Sequence, residues 1–275
     1  MIESLLELFS FPFMVNALIA GTAVAVLTGV AGWFVVLRGE SFAAHTLAVI
    51  GFPGAAGATL IGVPPLLGYF AVTGLGALAI AGRVGDSERR ITESAVIGTL
   101  QACALALGYL FVTLTHRSLS ATQSLLFGSF LGISEEQALW SVVITVAVLA
   151  CFVVIGRPLL FTSTDAEVAR ARGVPIRALS LAFILVVGIA VAEASQITGS
   201  LLVFALIVMP PATARALTAR PGLGIAVSAA LGLLVTWGGL VAAYYSNYPV
   251  GFTVTTLAFA LLVGAQATSR FRAAR

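Results

Sequence analysis

GRPLLFTSTDAEVARARGVPIR, residues 156–177, is a polar island between two apolar stretches that are each long enough to cross a bilayer. It has room for one short amphipathic helix. In a chain that is otherwise so apolar, a segment of this kind suits the docking of a soluble subunit from the cytoplasm.

The rest of the chain supports a membrane setting. Hydrophobic residues make up 60% of the 275 and charged residues 9%, with a mean hydropathy of +1.09. Soluble domains carry about 25% charged residues. The composition therefore predicts an all-α polytopic membrane protein, one transmembrane domain over residues 1–275 with no separate soluble domain. A spanning helix needs about 20 apolar residues. Apolar runs between charges give nine candidate spans, at residues 13–37, 41–62, 64–82, 91–115, 137–156, 178–196, 198–216, 222–245 and 250–268. The opening MIESLLELFS carries Glu3 and Glu7 and no basic residue, so it lacks the positive region of a cleavable signal and reads as an interfacial helix.

The basic residues fix the orientation. All fourteen are arginine. With the N-terminus outside and the C-terminus inside, thirteen fall on the cytoplasmic side and only Arg117 outside, as expected when basic groups near a span resist translocation. The absence of lysine excludes a phosphate-loop lysine and Schiff-base chemistry in this chain. The chain is read as a non-enzyme, with no cofactor of its own and no nucleic-acid partner. Cys103 and Cys151 lie far apart inside apolar runs and read as small apolar filler.

Short joints such as residues 195–200 imply antiparallel neighbours. Gly29 and Gly32, and Gly51, Gly54 and Gly57, have the spacing at which small residues let helices approach. Pro53, Pro64, Pro65, Pro210 and Pro211 predict kinked or broken spans, which membranes tolerate where the freed groups face protein or a water-filled cavity. Residues 121–136 contain an apolar run too short to cross, read as a short outer or re-entrant helix. A charged cytoplasmic loop, RVGDSERRITE, occupies residues 83–93.

Two intramembrane groups could meet a substrate. His45 is the histidine placed inside a span, and neutral imidazole is a common ligand for zinc and other transition metals. It fits either a metal-pathway role or a carbonyl-bonded interfacial histidine. His116, beside Arg117, reads as a loop residue. Glu193 has no other charge between it and Arg177. It either snorkels to the outer surface or forms, with Ser195, Gln196 and Thr198, a polar rim that guides cations. No further ligands complete a tight four-ligand cage with His45 in sequence, so weak, transient handling is expected, as a conduit must release what it binds. In the polar island, Thr164 or Ser163 can cap a helix with Asp165 and Glu167 in its first turn, Arg170 and Arg172 near its end, and Gly173 just past it.

Four stretches carry a family resemblance: FVVLRGESFAAHTLAVIGFPG at residues 34–54, LLFGSFLG at 125–132, TDAEVARARGVPIRAL at 164–179, and TGSLLVFALIVMPPATARAL at 198–217. In order and spacing they resemble the membrane permeases of bacterial zinc and manganese ABC importers, the ABC-3 family, over nearly the whole chain. The resemblance implies a type II ABC importer-like fold in the bacterial cytoplasmic membrane and a homodimer with a second copy of the chain. It also implies cytoplasmic ATP-binding subunits that use ATP and magnesium, and an extracytoplasmic metal-binding protein. Residues 158–177 would be the cytoplasmic coupling segment, with Asp165, Glu167, Arg170, Arg172 and Gly173 meeting the ATPase. Family members usually carry an Asp and a His four residues apart in the second span, and here those positions hold His45 and Val49. Metal binding transfers to His45 alone, with Glu193 and Gln196 expected along the pathway.

The expected function is that of a permease subunit moving zinc or manganese as its substrate. Loss of the Asp and His pair keeps open the import of a metal chelate, such as a siderophore or haem. A non-transporting membrane scaffold is the further alternative.

Overall fold

The computed structural model describes residues 11–81, 90–115, 126, 128, 130–246 and 248–273, with the backbone alone at 90–97, 131 and 270–273. The interfacial helix expected at residues 1–10, His116 with Arg117, most of the 83–93 loop and part of the 121–136 element lie outside this set.

Among the described residues there are ten α-helices and no strand: α1 (Pro12–Arg38), α2 (Ser41–Leu60), α3 (Pro65–Ala81), α4 (Arg90–Leu114), α5 (Glu135–Thr164), α6 (Ala166–Ala171), α7 (Ile176–Thr198), α8 (Leu202–Leu217), α9 (Pro221–Ser246) and α10 (Val250–Ala273). A 3-10 turn, Phe130–Gly132, precedes α5. Helices α1, α2, α5, α7, α9 and α10 are long and apolar enough to cross a membrane, while α3, the Gly98–Leu114 part of α4 and α8 are apolar but shorter. These nine elements follow the nine expected spans in order. The sixth helix, α6, is short and polar.

Burial separates a central helix from a periphery. In α1, 72% of the spanning window is buried, against 33% in α9, 28% in α5 and 22% in α10. The peripheral helices leave apolar side chains such as Val153, Val154 and Phe259 exposed, as a lipid-facing surface requires. Cys103 and Cys151 are free and exposed, so they fill no core gap.

Small residues set the central contacts. A Cβ on Gly29 would meet the Ala229 backbone of α9, and one on Gly54 would meet the Gly68 carbonyl of α3. Hydroxyls tie the same seams, with Ser228 Oγ donating to the Gly29 carbonyl at 2.7 Å and Thr145 Oγ1 to the Ala23 carbonyl at 3.3 Å. The glycine spacings read in the sequence therefore lie at helix contacts.

Pro53, Pro158, Pro210 and Pro211 all lie within continuous helices, where each removes one backbone donor. The Ile207 carbonyl, whose helical donor Pro211 lacks, faces Gly32 of α1. A neighbouring helix with no side chain thus covers the gap, one way membranes tolerate an internal proline. The chain breaks instead between α7 and α8, where Gly199 has φ 83°, a region open mainly to glycine.

That joint receives the described part of the 121–136 element. Leu201 N–H donates to the Leu126 carbonyl at 3.1 Å, and Gly128, with φ 78°, sits so close to Thr198 that no Cβ fits. Ser134 then starts α5 with a reciprocal capping box: its hydroxyl accepts from Gln137 N–H at 3.2 Å, and Gln137 Oε1 accepts from Ser134 N–H at 3.1 Å.

Candidate translocation pathway and cytoplasmic docking site

His45 lies in the second turn of α2, half-buried. Its ring rests on Phe204 of α8, with centroids 4.4 Å apart and planes inclined at 52°. Nδ1 is buried and has no hydrogen-bond partner. One turn further on, Val49 is 2% exposed, so an apolar side chain occupies the place where a second ligand would be useful.

The contact with Phe204 also describes α8. Its last turn is tied to the C-terminal end of α1 by Arg215 Nη1, which donates to the Val36 carbonyl at 2.7 Å. Phe204 is near the opposite end of α8 and meets the N-terminal half of α2, so the first turn of α8 lies at the level of the His45 ring.

Glu193 is 2% exposed. On α7 it shares a helical stripe with Ala178, Ala182, Leu185, Ile189 and Gln196, which are the less buried residues of that helix. The carboxylate is thus sealed on a face that is otherwise open, so it does not snorkel to the outer surface. Next to it, Ala192 packs with Ala55 and Tyr69. Ala55 is ten residues beyond His45 along α2, about 15 Å at 1.5 Å per residue. Glu193 and His45 therefore occupy different levels, with Glu193 nearer the C-terminal end of α2. Gln196 Oε1, Ser195 Oγ and Ser200 Oγ are buried without partners close by in sequence. Among the described residues no three His, Cys, Asp or Glu side chains gather to hold a metal ion.

The polar segment around α6 is built in the opposite way. Helix α5 does not stop at residue 156 but runs to Thr164. Ser163 and Thr164, expected as caps, belong to its last turn, where their hydroxyls donate to the Leu159 carbonyl at 2.6 Å and the Leu160 carbonyl at 2.9 Å. Asp165 takes the cap position of α6, accepting from Glu167 N–H at 3.1 Å and Val168 N–H at 2.9 Å. At the other end, Gly173 N–H donates to the Arg170 carbonyl at 3.0 Å and Val174 N–H to the Ala169 carbonyl at 3.1 Å, with Gly173 at φ 78°. This is a Schellman termination. Ala169 is buried, while Asp165, Glu167, Arg170, Arg172 and Gly173 are all exposed. A solvated, doubly capped helix is what a docking surface needs.

A third polar group lies between the two and has no counterpart in the sequence reading. Arg38, the last residue of α1, donates through Nε to Glu40 Oε1 at 2.9 Å and through Nη2 to Ser180 Oγ of α7 at 3.1 Å. Its guanidinium lies 5.0 Å from the centroid of the Phe183 ring. Burial pushes the Glu40 carboxyl above the usual carboxylate range, with the adjacent Arg38 opposing that shift. Glu40 Oε2 is buried and unpartnered.

Comparison with known proteins now adds a second line. Residues 10–269 match the ABC 3 transport family. The chelated iron transport system membrane protein YfeC of Yersinia pestis is 30% identical over 257 residues, covering 94% of this chain and 86% of that protein. The manganese transport system membrane protein MntC of Halalkalibacterium halodurans is 28% identical over 255 residues, 93% of this chain and 87% of that protein. Among solved structures, PsaBC from Streptococcus pneumoniae in complex with Fab superimposes with a TM-score of 0.87 at 25% identity, covering 99% of this chain and 100% of that one.

Proposed function

We propose, from the premise that this chain belongs to the ABC 3 transport family, that it imports manganese or zinc as a free divalent ion, with His45 as the intramembrane ligand. At the coarser level the chain is the permease subunit of a metal importer, not an enzyme, and a multi-pass protein of the bacterial cytoplasmic membrane. Membership of a transport family removes the scaffold alternative.

The observation that carries the reading is the buried, unpartnered Nδ1 of His45. A polar atom buried without a partner costs about 1–3 kcal/mol, and a passing cation would offset that cost transiently. One imidazole from each of two subunits would hold an ion weakly enough to release it. Glu193 and Gln196, about 15 Å nearer the outside along α2 and α7, would meet the ion first.

Partners follow from the same reading. A second copy of the chain would complete the pathway, an extracytoplasmic metal-binding protein would deliver the ion, and cytoplasmic subunits would bind ATP and magnesium. Asp165, Glu167, Arg170, Arg172 and Gly173 would meet those subunits on the exposed face of α6. The relative named for chelated iron favours one second reading, import of a metal chelate. That reading is compatible with Val49 standing where a second ligand would serve a bare ion.

Reconstitution with the ATPase subunits and the binding protein decides between the two. Stimulation of ATP hydrolysis by free manganese or zinc is expected. Indifference to both free ions, with stimulation by an iron chelate, would replace the free-ion reading.

A further inference from the structure

We infer that Arg38 is a positioning residue that carries movement of the α6 docking helix to the His45-bearing helix. This rests on the reading of α6 as the ATPase docking site.

Connectivity makes α5 and α7 the two receivers of any force on α6, since α6 follows α5 directly at Asp165 and leads into α7 through residues 172–175. Arg38 touches both. Its Nη2 holds Ser180 in the second turn of α7, and its guanidinium covers Phe183 one turn later. The Phe183 ring meets Phe152 of α5 edge-on at 6.4 Å, and Phe152 stacks on Phe34 of α1 at 5.1 Å and 11°. The side chain is thus fixed to α7 by both a polar and an aromatic contact, and the Phe183 ring carries on from it to α5.

The remaining edge of the guanidinium points to the pathway. Nε holds Glu40, the residue immediately before α2, whose carbonyl accepts from Ala44 N–H at 3.1 Å. Ala44 precedes His45. A shift of Ser180 or Phe183 relative to α1 therefore moves the start of α2, and His45 is only one turn further on. Among the described residues Arg38–Glu40 is the one ion pair, and it lies where three helices converge. A planar guanidinium holds a carboxylate, a hydroxyl and a ring face from one rigid fork, a geometry that the point charge of an ammonium does not reproduce.

A simple structural staple would make a different prediction. Removing it would reduce the amount of folded complex, and uptake and ATP hydrolysis would then fall together. A transmission residue would instead change the number of ions moved per ATP.

The test uses the full complex in proteoliposomes, with manganese as the probe and with ATPase association measured on the same samples. Arg38→Gln is expected to keep ATPase association and at least half of the ATP hydrolysis while lowering manganese moved per ATP about tenfold. Arg38→Lys is expected to fall between wild type and Arg38→Gln. Ser180→Ala deletes one hydrogen bond with little risk to folding, and should lower the ratio two- to threefold. An unchanged ratio in Ser180→Ala and Arg38→Lys, whether their activities are normal or reduced in parallel, overturns the inference. Failure of ATPase association in the α6 variants to change would overturn the docking reading instead, which keeps the two failures distinct.

Discussion

Helix α6 and the intramembrane stripe of His45, Glu193 and Gln196 treat polar groups in opposite ways. In α6 both ends are capped by the chain itself and the charges face solvent. Along α2 and the end of α7, His45 Nδ1, Ser195 Oγ, Gln196 Oε1 and Ser200 Oγ are buried without partners. The first arrangement holds one shape until a partner arrives. In the proposed pathway the second would leave these atoms free for a passing ion.

The comparison can be broken from either side. The largest effect is expected on the α6 side: reversing both arginines in Arg170→Glu/Arg172→Glu should reduce ATPase association at least tenfold in pull-down, because both side chains are exposed and contribute nothing to the internal caps. Retained association would remove α6 as the docking surface. Next, Gly32→Ala should destabilise the detergent-purified protein by about 1–3 kcal/mol, the usual range for overpacking, since its Cβ would strike the Ile207 carbonyl and displace α8. A thermal-unfolding series would show it, and an unchanged midpoint would contradict the packing of α1 on α8.

Smaller effects sharpen the contrast. Glu193→Gln should lower manganese uptake a few-fold while leaving ATPase association untouched, because it acts at the outer level alone; equal uptake would return Glu193 to a purely structural role. Asp165→Ala removes an N-cap worth about 1 kcal/mol, and should weaken ATPase binding by about fivefold. The smallest effect is a pH dependence at Glu40. Its folded carboxyl sits above its unfolded value because burial outweighs Arg38, so its contribution is full below the ordinary carboxylate range and is lost as pH rises through the raised value. Melting of wild type relative to Glu40→Gln should accordingly improve as pH falls through the raised value toward the ordinary carboxylate range. The opposite slope would mean that the ion pair outweighs burial.

How much of this was legible in the sequence differs between the same two regions. The polar island could be read because capping, helix termini and arginine placement are local signals, and only the cap itself moved, from Thr164 or Ser163 to Asp165. The shift occurred because α5 continues through Pro158, which the apolar run ending at residue 156 did not reveal. A nearer signal was available at Ser134, where S-x-x-Q announces the capping box that starts α5.

The pathway was legible in residue type but not in arrangement. His45 and Glu193 stand out as ionisable groups inside apolar spans, yet their separation along the pathway depends on how α2, α3 and α7 pack. Phe204 carried no signal at all, since a phenylalanine in a membrane helix is ordinary. The packing of α8 on α2 that brings it to His45 is a tertiary outcome. The Arg38 cluster was hidden for the same reason: Arg38 and Ser180 are 142 residues apart in sequence and meet only in the folded chain.

The central claim is that an unpartnered imidazole inside the membrane meets the ion while a separate cytoplasmic helix meets the ATPase. Manganese uptake by reconstituted complexes carrying His45→Ala tests it directly, with ATPase association measured on the same preparation. The account predicts at least a tenfold loss of uptake with association unchanged. Uptake equal to wild type would contradict it.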